Sequence, residues 1–435
     1  MKTVIIGAGL AGLQMAKQLL ERRKKVVVFE KELQMGGLCR TNTTGRFSWD
    51  FGVHALYSRN ENVMKYFHSL PIEYESQKRN VSIVHTGGNG RTHLLEYPFE
   101  IGIRDLPLKD KIECICGYVS ARANRKSDFA NLEQWINNYL GSGIARHFMI
   151  PYNHKIWNCS LDEISENLVN QKIEPEPVKK FLSNILFKKG VGRTYQANFI
   201  YPKKGIQHLI DCLAKDIRNH VKVGAGVVRL TRDRGKWTVF TENGLKETAD
   251  VVISTMPVVE LIKIINISGI EKEYSLFKWN DTAFVMVGLK RGRNFKKITD
   301  CHWAFFKEDE FFYRVTLMNN FSMDFPPALV AEVTLKDHAA AMSDAGRIDA
   351  VVRDLIRKGI IDSEDAIAVV DIKSMPYTYP IPTVGLNKLK HDMKGILERH
   401  SLYLLGRNGN WDYINMDGVV GSVQTLLPEL PASRT

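Results

Sequence analysis

The chain has 435 residues, 44% of them hydrophobic and 25% charged, with a formal net charge of +12. This length accommodates two or three domains, and the composition is that of a globular protein, not a disordered one. No run of 18 apolar residues occurs, so no membrane span is expected; without a basic tail or nucleic-acid motif, the positive charge suggests an anionic substrate, an acidic partner or solubility alone.

The first 57 residues organise the rest. The apolar start opens a strand, not a leader peptide. Residues 2–7 form a short β-rich run that enters glycines spaced G-x-G-x-x-G, namely Gly7, Gly9 and Gly12. Leu13, Ala16, Leu19 and Leu20 then recur at helical spacing, and a second strand, 26–29, ends on Glu30. An acidic residue about 20 positions past the glycines completes a dinucleotide-binding βαβ unit. Gly7 allows a tight turn, Gly9 a close approach to pyrophosphate, and Gly12 helix-on-strand packing. The helix start, with Leu10 and Ala11, turns free N–H groups toward the phosphates. Glu30 suits unmodified ribose hydroxyls and repels a 2′-phosphate. The basic run 22–25 sits where it complements the helix dipole.

Beyond Lys31 come paired glycines, Gly36 and Gly37, then Leu38, Cys39, Arg40 and Thr41. The segment 45–54 follows, with Gly52, Val53 and His54. A G-G-x-x-x-T element this close to the acidic residue resembles the FAD-binding amine oxidase superfamily, which includes protoporphyrinogen oxidases and UDP-galactopyranose mutases. There the paired glycines let backbone pass the flavin's phosphate and ribityl chain.

Residues 81–85 and 93–97 read as strands around a turn at 87–90, leading to Tyr97-Pro98-Phe99. Residues 109–191 are largely helical, with Trp135, Ile136 and Leu140 on one face, and break from the α/β pattern. Within them, 151–158 alternates aromatic and polar residues, including Tyr152 and Trp157. That reads either as a pocket wall or as a packed helix end with Trp157 in the core. A helix through Ile217 precedes β-rich runs at 221–223, 227–231 and 237–241, an Asn243-Gly244 turn and a strand over 250–257. This meander resembles the superfamily's second FAD-domain segment, which makes Val228 a cofactor contact. Residues 261–385 suggest a sheet with strands at 283–289, 311–317 and 329–335 and one helix at 339–358. A buried strand over 402–407 enters 408–418, and a helix to about Leu427 follows. Its start is a second place where N–H groups face an anion.

The expected architecture is α/β: a Rossmann-like FAD-binding domain with an inserted helical and mixed β-sheet substrate domain. The FAD domain is discontinuous, comprising 1–75, 195–260 and 386–435. The substrate domain has a helical part at 76–194 and a sheet part at 261–385. Six cysteines (39, 114, 116, 159, 212 and 301) lack metal spacing and suit a reduced cytoplasmic setting.

Five motifs, in order along the chain, resemble UDP-galactopyranose mutases: 50–54, Tyr97-Pro98-Phe99, 152–157, 312–316 with 320–322, and 406–417. That resemblance implies FAD held by Arg407, Asp417, Gly406, Gly418 and Val419, with His54 beside the ring system. It implies a nucleotide-sugar pocket lined by Tyr97, Phe99, Tyr152 and Trp157, with Arg314, Tyr377 and Tyr413 on the diphosphate. His54, Arg314, Tyr377 and Tyr413 are thus the candidate catalytic set. Arginine suits two adjacent phosphate charges because it donates a fixed fork, and phenols add neutral donors. Tyr377 lies in a proline-stiffened extended run, 377–382, that either presents these donors or forms a surface loop. Where the family carries a lid arginine, this chain offers Lys172, and Val53 replaces a glycine of the eukaryotic type. The implied reaction is UDP-galactopyranose to furanose interconversion in polysaccharide biosynthesis, through a reduced-flavin N5–sugar adduct, with NAD(P)H as an external reductant. The alternative is an FAD oxidoreductase of the amine or protoporphyrinogen oxidase type. No metal or nucleic-acid partner is expected, and self-association is left open.

Overall fold

A computed structural model describes residues 1–86, 92–124, 128–170, 177–187, 197–270 and 274–431. The turn expected at 87–90, and Lys172, lie outside the described residues.

Five parallel strands form the first sheet, in the spatial order Leu402–Leu404, Val251–Ser254, Lys2–Ile6, Lys25–Phe29 and Val221–Lys222. Their runs are almost wholly apolar because both faces are covered. Ile5, Val28 and Ile253 meet helices Leu10–Glu21, Ile206–Ala214 and Met416–Glu429. Val4, Ile6 and Val252 meet the opposite layer, built from helices Val258–Ile264 and Leu386–Arg399 and the antiparallel meander Val227–Asp233, Lys236–Thr241 and Lys246–Ala249. The α/β expectation is met. Strands from the beginning, middle and end of the chain lie side by side in one sheet.

A seven-stranded mixed sheet carries the second half of the molecule. Its order is Ile367–Ile381, Lys278–Leu289, Ala328–Thr334, Arg314–Leu317, Trp303–Phe306, Val81–Thr86 and Thr92–Glu96. All its pairs are antiparallel except Trp303–Phe306 with Val81–Thr86. Phe284, Met286, Val330 and Phe305 face a helical layer that includes Leu108–Ala123 and Ile150–Ile156. Ala283, Val285, Ala331 and Phe306 face helix Asp344–Arg357. The period-2 alternation along each strand divides these two cores.

Several sequence expectations need correction. The single helix expected at 339–358 is two, Asp337–Ala341 and Asp344–Arg357. Ser343 breaks it, because its side chain accepts from the Gly346 N–H as a helix cap. Strands Trp303–Phe306, Ile367–Ile381 and Lys246–Ala249 were not expected. Ile367–Ile381 contains Pro376 and Pro380, which lack a donor for a ladder; it is tolerated because this strand lies at the sheet edge. Among the described residues no helix is long and apolar enough to cross a membrane.

The helical layer closes through backbone contact. A Cβ on Gly143 would lie 2.5 Å from the Cys114 Cα, and one on Gly141 would lie 2.2 Å from the Gly117 carbonyl oxygen. Gly143→Ala is therefore expected to cost about 1–3 kcal/mol by overpacking. Denaturant unfolding checks this; an unchanged midpoint would mean that the two helices separate freely.

Candidate active site

The glycine cradle is assembled at the carboxyl end of strand Lys2–Ile6. Gly7 takes φ +100°, and its N–H donates to the Phe29 carbonyl at 2.7 Å. A Cβ on Gly12 would lie 1.9 Å from the Gly7 oxygen, so only glycine fits there. Gly9 bridges to Gly36 in parallel, which sets the paired glycines Gly36 and Gly37 beside the helix start. That start has no side-chain cap and no acidic residue in its first turn, so its N–H groups await an outside acceptor. Glu30 is 6% exposed and accepts from the Ala8 N–H at 2.7 Å and the Glu32 N–H at 2.9 Å. Lys31 beside it is exposed, and Val228 stands exposed at an irregularity in the meander.

The later cofactor candidates gather at the same cradle. A Cβ on Gly406 would lie 2.7 Å from the Ala11 Cβ, which ties the 402–409 segment to the first helix. Asp417, Gly418 and Val419 form the first turn of helix Met416–Glu429, whose Asn415 makes no side-chain cap bond. Leu38, Cys39 and Arg40 follow the paired glycines; burial pushes the Cys39 thiol up to about 12, leaving it protonated. Arg40 Nε and Arg407 Nε are buried with no hydrogen-bond partner among the described residues. An open helix N-terminus, an acidic residue at ribose distance in sequence, a glycine-lined wall and unsatisfied buried guanidinium donors fit a dinucleotide with a pyrophosphate.

Next to the cradle, aromatic and basic side chains converge. Gly52, at φ +61°, links the two regions: a Cβ there would lie 3.4 Å from Arg314 Nη2. Arg314 donates from Nε to Glu332 Oε1 and from Nη2 to Oε2, both at 2.7 Å, and from Nη2 to the Tyr379 hydroxyl at 2.9 Å. The Tyr313 hydroxyl donates to the same buried Glu332 at 2.7 Å. Burial alone would lower the Arg314 pKa, but Glu332 holds it well above the usual value. Arg407 donates to the carbonyls of Ile414 and Thr378. It also lies 4.8 Å from the Tyr413 ring centre and 5.3 Å from that of Tyr379. Burial lowers its pKa. At His54, burial, then Arg407 and Arg314, bring the pKa down to about 3, so the imidazole is neutral. Burial raises the Tyr379 phenol to about 12, against the pull of Arg314.

Tyrosines and Trp157 wall the cluster. Trp157, at the end of helix Ile150–Ile156, donates from Nε1 to Asn153 Oδ1 at 2.9 Å. Its ring meets Tyr413 at 5.6 Å and Tyr379 at 6.1 Å, both edge-on. Trp157 is a buried core residue, as one of the two readings of 151–158 has it, and its ring packs against the cluster. Tyr97 and Tyr152 each pack 5.2 Å from Phe305.

Two expected contacts are placed elsewhere. Phe99 is fully buried and stacks 5.1 Å from Phe148, which in turn stacks on Tyr152, so it supports the wall from behind. Tyr377 does not join Arg314 and Tyr413. In the pairing of Lys278–Leu289 with Ile367–Ile381, Asn280 faces Tyr379 and Thr282 faces Met375, so three residues bulge against Asp281. The bulge turns Tyr377 to the opposite side, where its hydroxyl donates to Glu260. Tyr379 occupies the cluster instead. Sequence reasoning missed Tyr379 and Glu332. An acidic residue inside the apolar run 328–334 was the available signal for Glu332.

The chain resembles known proteins over most of its length. A family model described as flavin containing amine oxidoreductase matches residues 10–422. AofH of Mycobacterium tuberculosis, named as a flavin-containing monoamine oxidase, is 23% identical over 264 residues, 58% of this chain and 56% of that protein. The match therefore spans little more than half of that relative's length. UDP-galactopyranose mutase of Mycoplasma pneumoniae is 32% identical over 66 residues, 14% of this chain and 16% of that protein. The crystal structure of reduced UDP-galactopyranose mutase superposes with a TM-score of 0.88 at 24% identity, covering 98% of this chain and 94% of that one. At this identity the likeness is one of fold.

Asp50 gives the cradle a pH response. It accepts from the Thr41 and Tyr201 hydroxyls, both at 2.7 Å, yet burial outweighs these bonds and raises its pKa from 3.8 to about 7. The fold favours the protonated form. Its contribution is full below the unfolded pKa and is lost as pH rises through about 7. Relative to Asp50→Asn, the parent should lose a few kcal/mol of stability between pH 4 and 8. Chemical unfolding across that range tests it; parallel pH profiles would refute it.

Proposed function

This chain belongs to the family of flavin-containing amine oxidoreductases, and within it we propose a sugar-nucleotide mutase that interconverts UDP-galactopyranose, or a related UDP-sugar, and its furanose form. The observation that carries this reading is the convergence of Arg314, Arg407, Tyr379 and Tyr413, walled by Trp157. A cationic amine has no use for that much guanidinium chemistry, whereas a diphosphate does.

We take the cofactor to be FAD, working in its reduced form with NAD(P)H as the external reductant. When bound, the reduced flavin supplies a nucleophile for the sugar's anomeric carbon. Segments 1–75, 195–260 and 386–435 hold it. Gly7 and Gly9 would admit the pyrophosphate, Gly12 lets the helix close on the Gly7 carbonyl, Glu30 would take the ribose hydroxyls, and Val228 would contact the cofactor. Arg407 and Asp417 face the ribityl side.

The substrate diphosphate lies against Tyr413 and Tyr379, with Arg407 supplying positive charge and Arg314, paired to Glu332, fixing the Tyr379 hydroxyl. Phenol donors suit this place because they bind an anion without adding further like charge beside the two arginines. Arg314, anchored on Glu332, cannot swing away. His54 stays neutral here and so donates one hydrogen bond without a third positive charge. Trp157 stacks or edges against the nucleotide. Parts 76–194 and 261–385 form the substrate side, and a reduced, cytoplasmic setting suits six free cysteines.

A second reading is supported by the family itself and by the likeness to AofH: an FAD oxidoreductase acting on an amine or a porphyrinogen. One assay separates the two. Holoprotein incubated with dithionite and UDP-galactopyranose should yield furanose only when reduced. Hydrogen peroxide released from an amine, with no furanose under reduction, overturns the mutase reading. Tyr413→Phe removes one charge-assisted hydrogen bond worth about 1.5–3 kcal/mol and should raise KM roughly tenfold or more. An unchanged KM would place the diphosphate elsewhere.

A further inference from the structure

Two bulky aromatic residues hold left-handed backbone, Tyr377 at φ +55° and Trp411 at φ +53°. Such residues seldom adopt this conformation unless their surroundings enforce it. Each stands two residues before a phenol of the cluster, Tyr377 before Tyr379 and Trp411 before Tyr413. The two strained residues also touch, with ring centres 6.2 Å apart. Both pack on Trp279, at 5.1 Å for Tyr377 and 6.0 Å for Trp411, and Trp411 also meets Phe277 at 5.5 Å. Behind the cluster, therefore, lies an aromatic nest made of the residues that precede its two phenols.

Polar ties lock the two segments together. Asn408 Nδ2 donates to the Tyr377 carbonyl at 3.2 Å, and Arg407 Nη2 donates to the Thr378 carbonyl at 3.1 Å. The Tyr377 N–H donates to Asp281 Oδ1 at 2.9 Å, while its hydroxyl holds Glu260. Lys390 Nζ donates to the Trp411 carbonyl at 3.1 Å and pairs with Asp412. In front, the Tyr379 and Tyr413 rings lie 5.7 Å apart over Arg407.

We propose that the nest of Tyr377, Trp411 and Trp279 is a positioning element for the anion-binding phenols, and that Tyr377 acts through Tyr379. It rests on the reading of this cluster as a nucleotide-diphosphate site. Left-handed backbone at Tyr377 reverses the side of the chain within the bulge, which carries Tyr379 to the Arg314 hydroxyl contact. Without the nest, the bulge is free to relax and the phenol leaves its bond.

A double-mutant cycle on the holoprotein, titrated with UDP, tests this. Tyr377→Ala should weaken UDP by about tenfold, in keeping with a small displacement of a binding group. Tyr379→Phe should weaken it by a similar factor. If Tyr377 acts through Tyr379, the double variant should be no more than about twofold weaker than Tyr379→Phe alone. Additive losses, or parental affinity in Tyr377→Ala, overturn the proposal. Tyr377→Asn, which tolerates left-handed backbone, should retain more affinity than the alanine variant; the reverse order counts against it. A parent protein that binds no UDP would instead overturn the nucleotide reading. The positioning claim then rests on the crystal structure of Tyr377→Ala: a Tyr379 ring still bonded to Arg314 refutes it, and a displaced ring upholds it.

Discussion

The constraint on which the structure depends is the removal of guanidinium charge from water beside the glycine cradle. Isolated ions resist burial strongly, and a fold holds them only with excellent geometry and full hydrogen bonding. Arg314 meets this demand through both oxygens of Glu332, which the Tyr313 hydroxyl also bonds. Arg407 meets it differently, with two main-chain carbonyls and two phenol faces and no carboxylate among its described partners. The first arginine is locally neutralised and rigid. The second keeps its charge uncompensated by a carboxylate, and its Nε is buried without a hydrogen-bond partner among the described residues.

The two sheets meet at this place because distant segments contribute to each. Gly12 presses on the Gly7 carbonyl, Gly36 on that of Cys39, and Gly409 on that of Ser254. Each contact is possible only because a side chain is absent. The cleft is therefore set by backbone against backbone, which deforms less than side-chain packing, and the polar groups above it inherit that precision.

Much of this was legible in the sequence. The βαβ unit could be read because each position has its own chemistry: glycines where a Cβ would collide, and Glu30 where N–H groups converge. The sheet strands expected at 283–289 and 329–335 announced themselves as continuous apolar runs, and the structure has them at 278–289 and 328–334. Tyr379 could not be read, since period-2 reasoning gives Tyr377 and Tyr379 one shared face, and the bulge that separates them arises from pairing with Asn280 and Thr282. Phe99 was misplaced for the opposite reason: its motif lies beside the cleft in sequence, but its ring turns into the core. The helix break at Ser343 was visible as a cap residue and was overridden by the apolar periodicity around it.

The order of strands in the first sheet has a consequence for how the protein is made. Leu402–Leu404 pairs with Val251–Ser254, some 150 residues earlier in synthesis. At ribosomal speeds of about 5–20 residues per second, that edge stands open for many seconds while the mixed sheet is translated. An unpaired, largely apolar edge is a template for pairing with other chains. Nascent molecules thus pass through a sticky interval that ends only when the last strand is delivered.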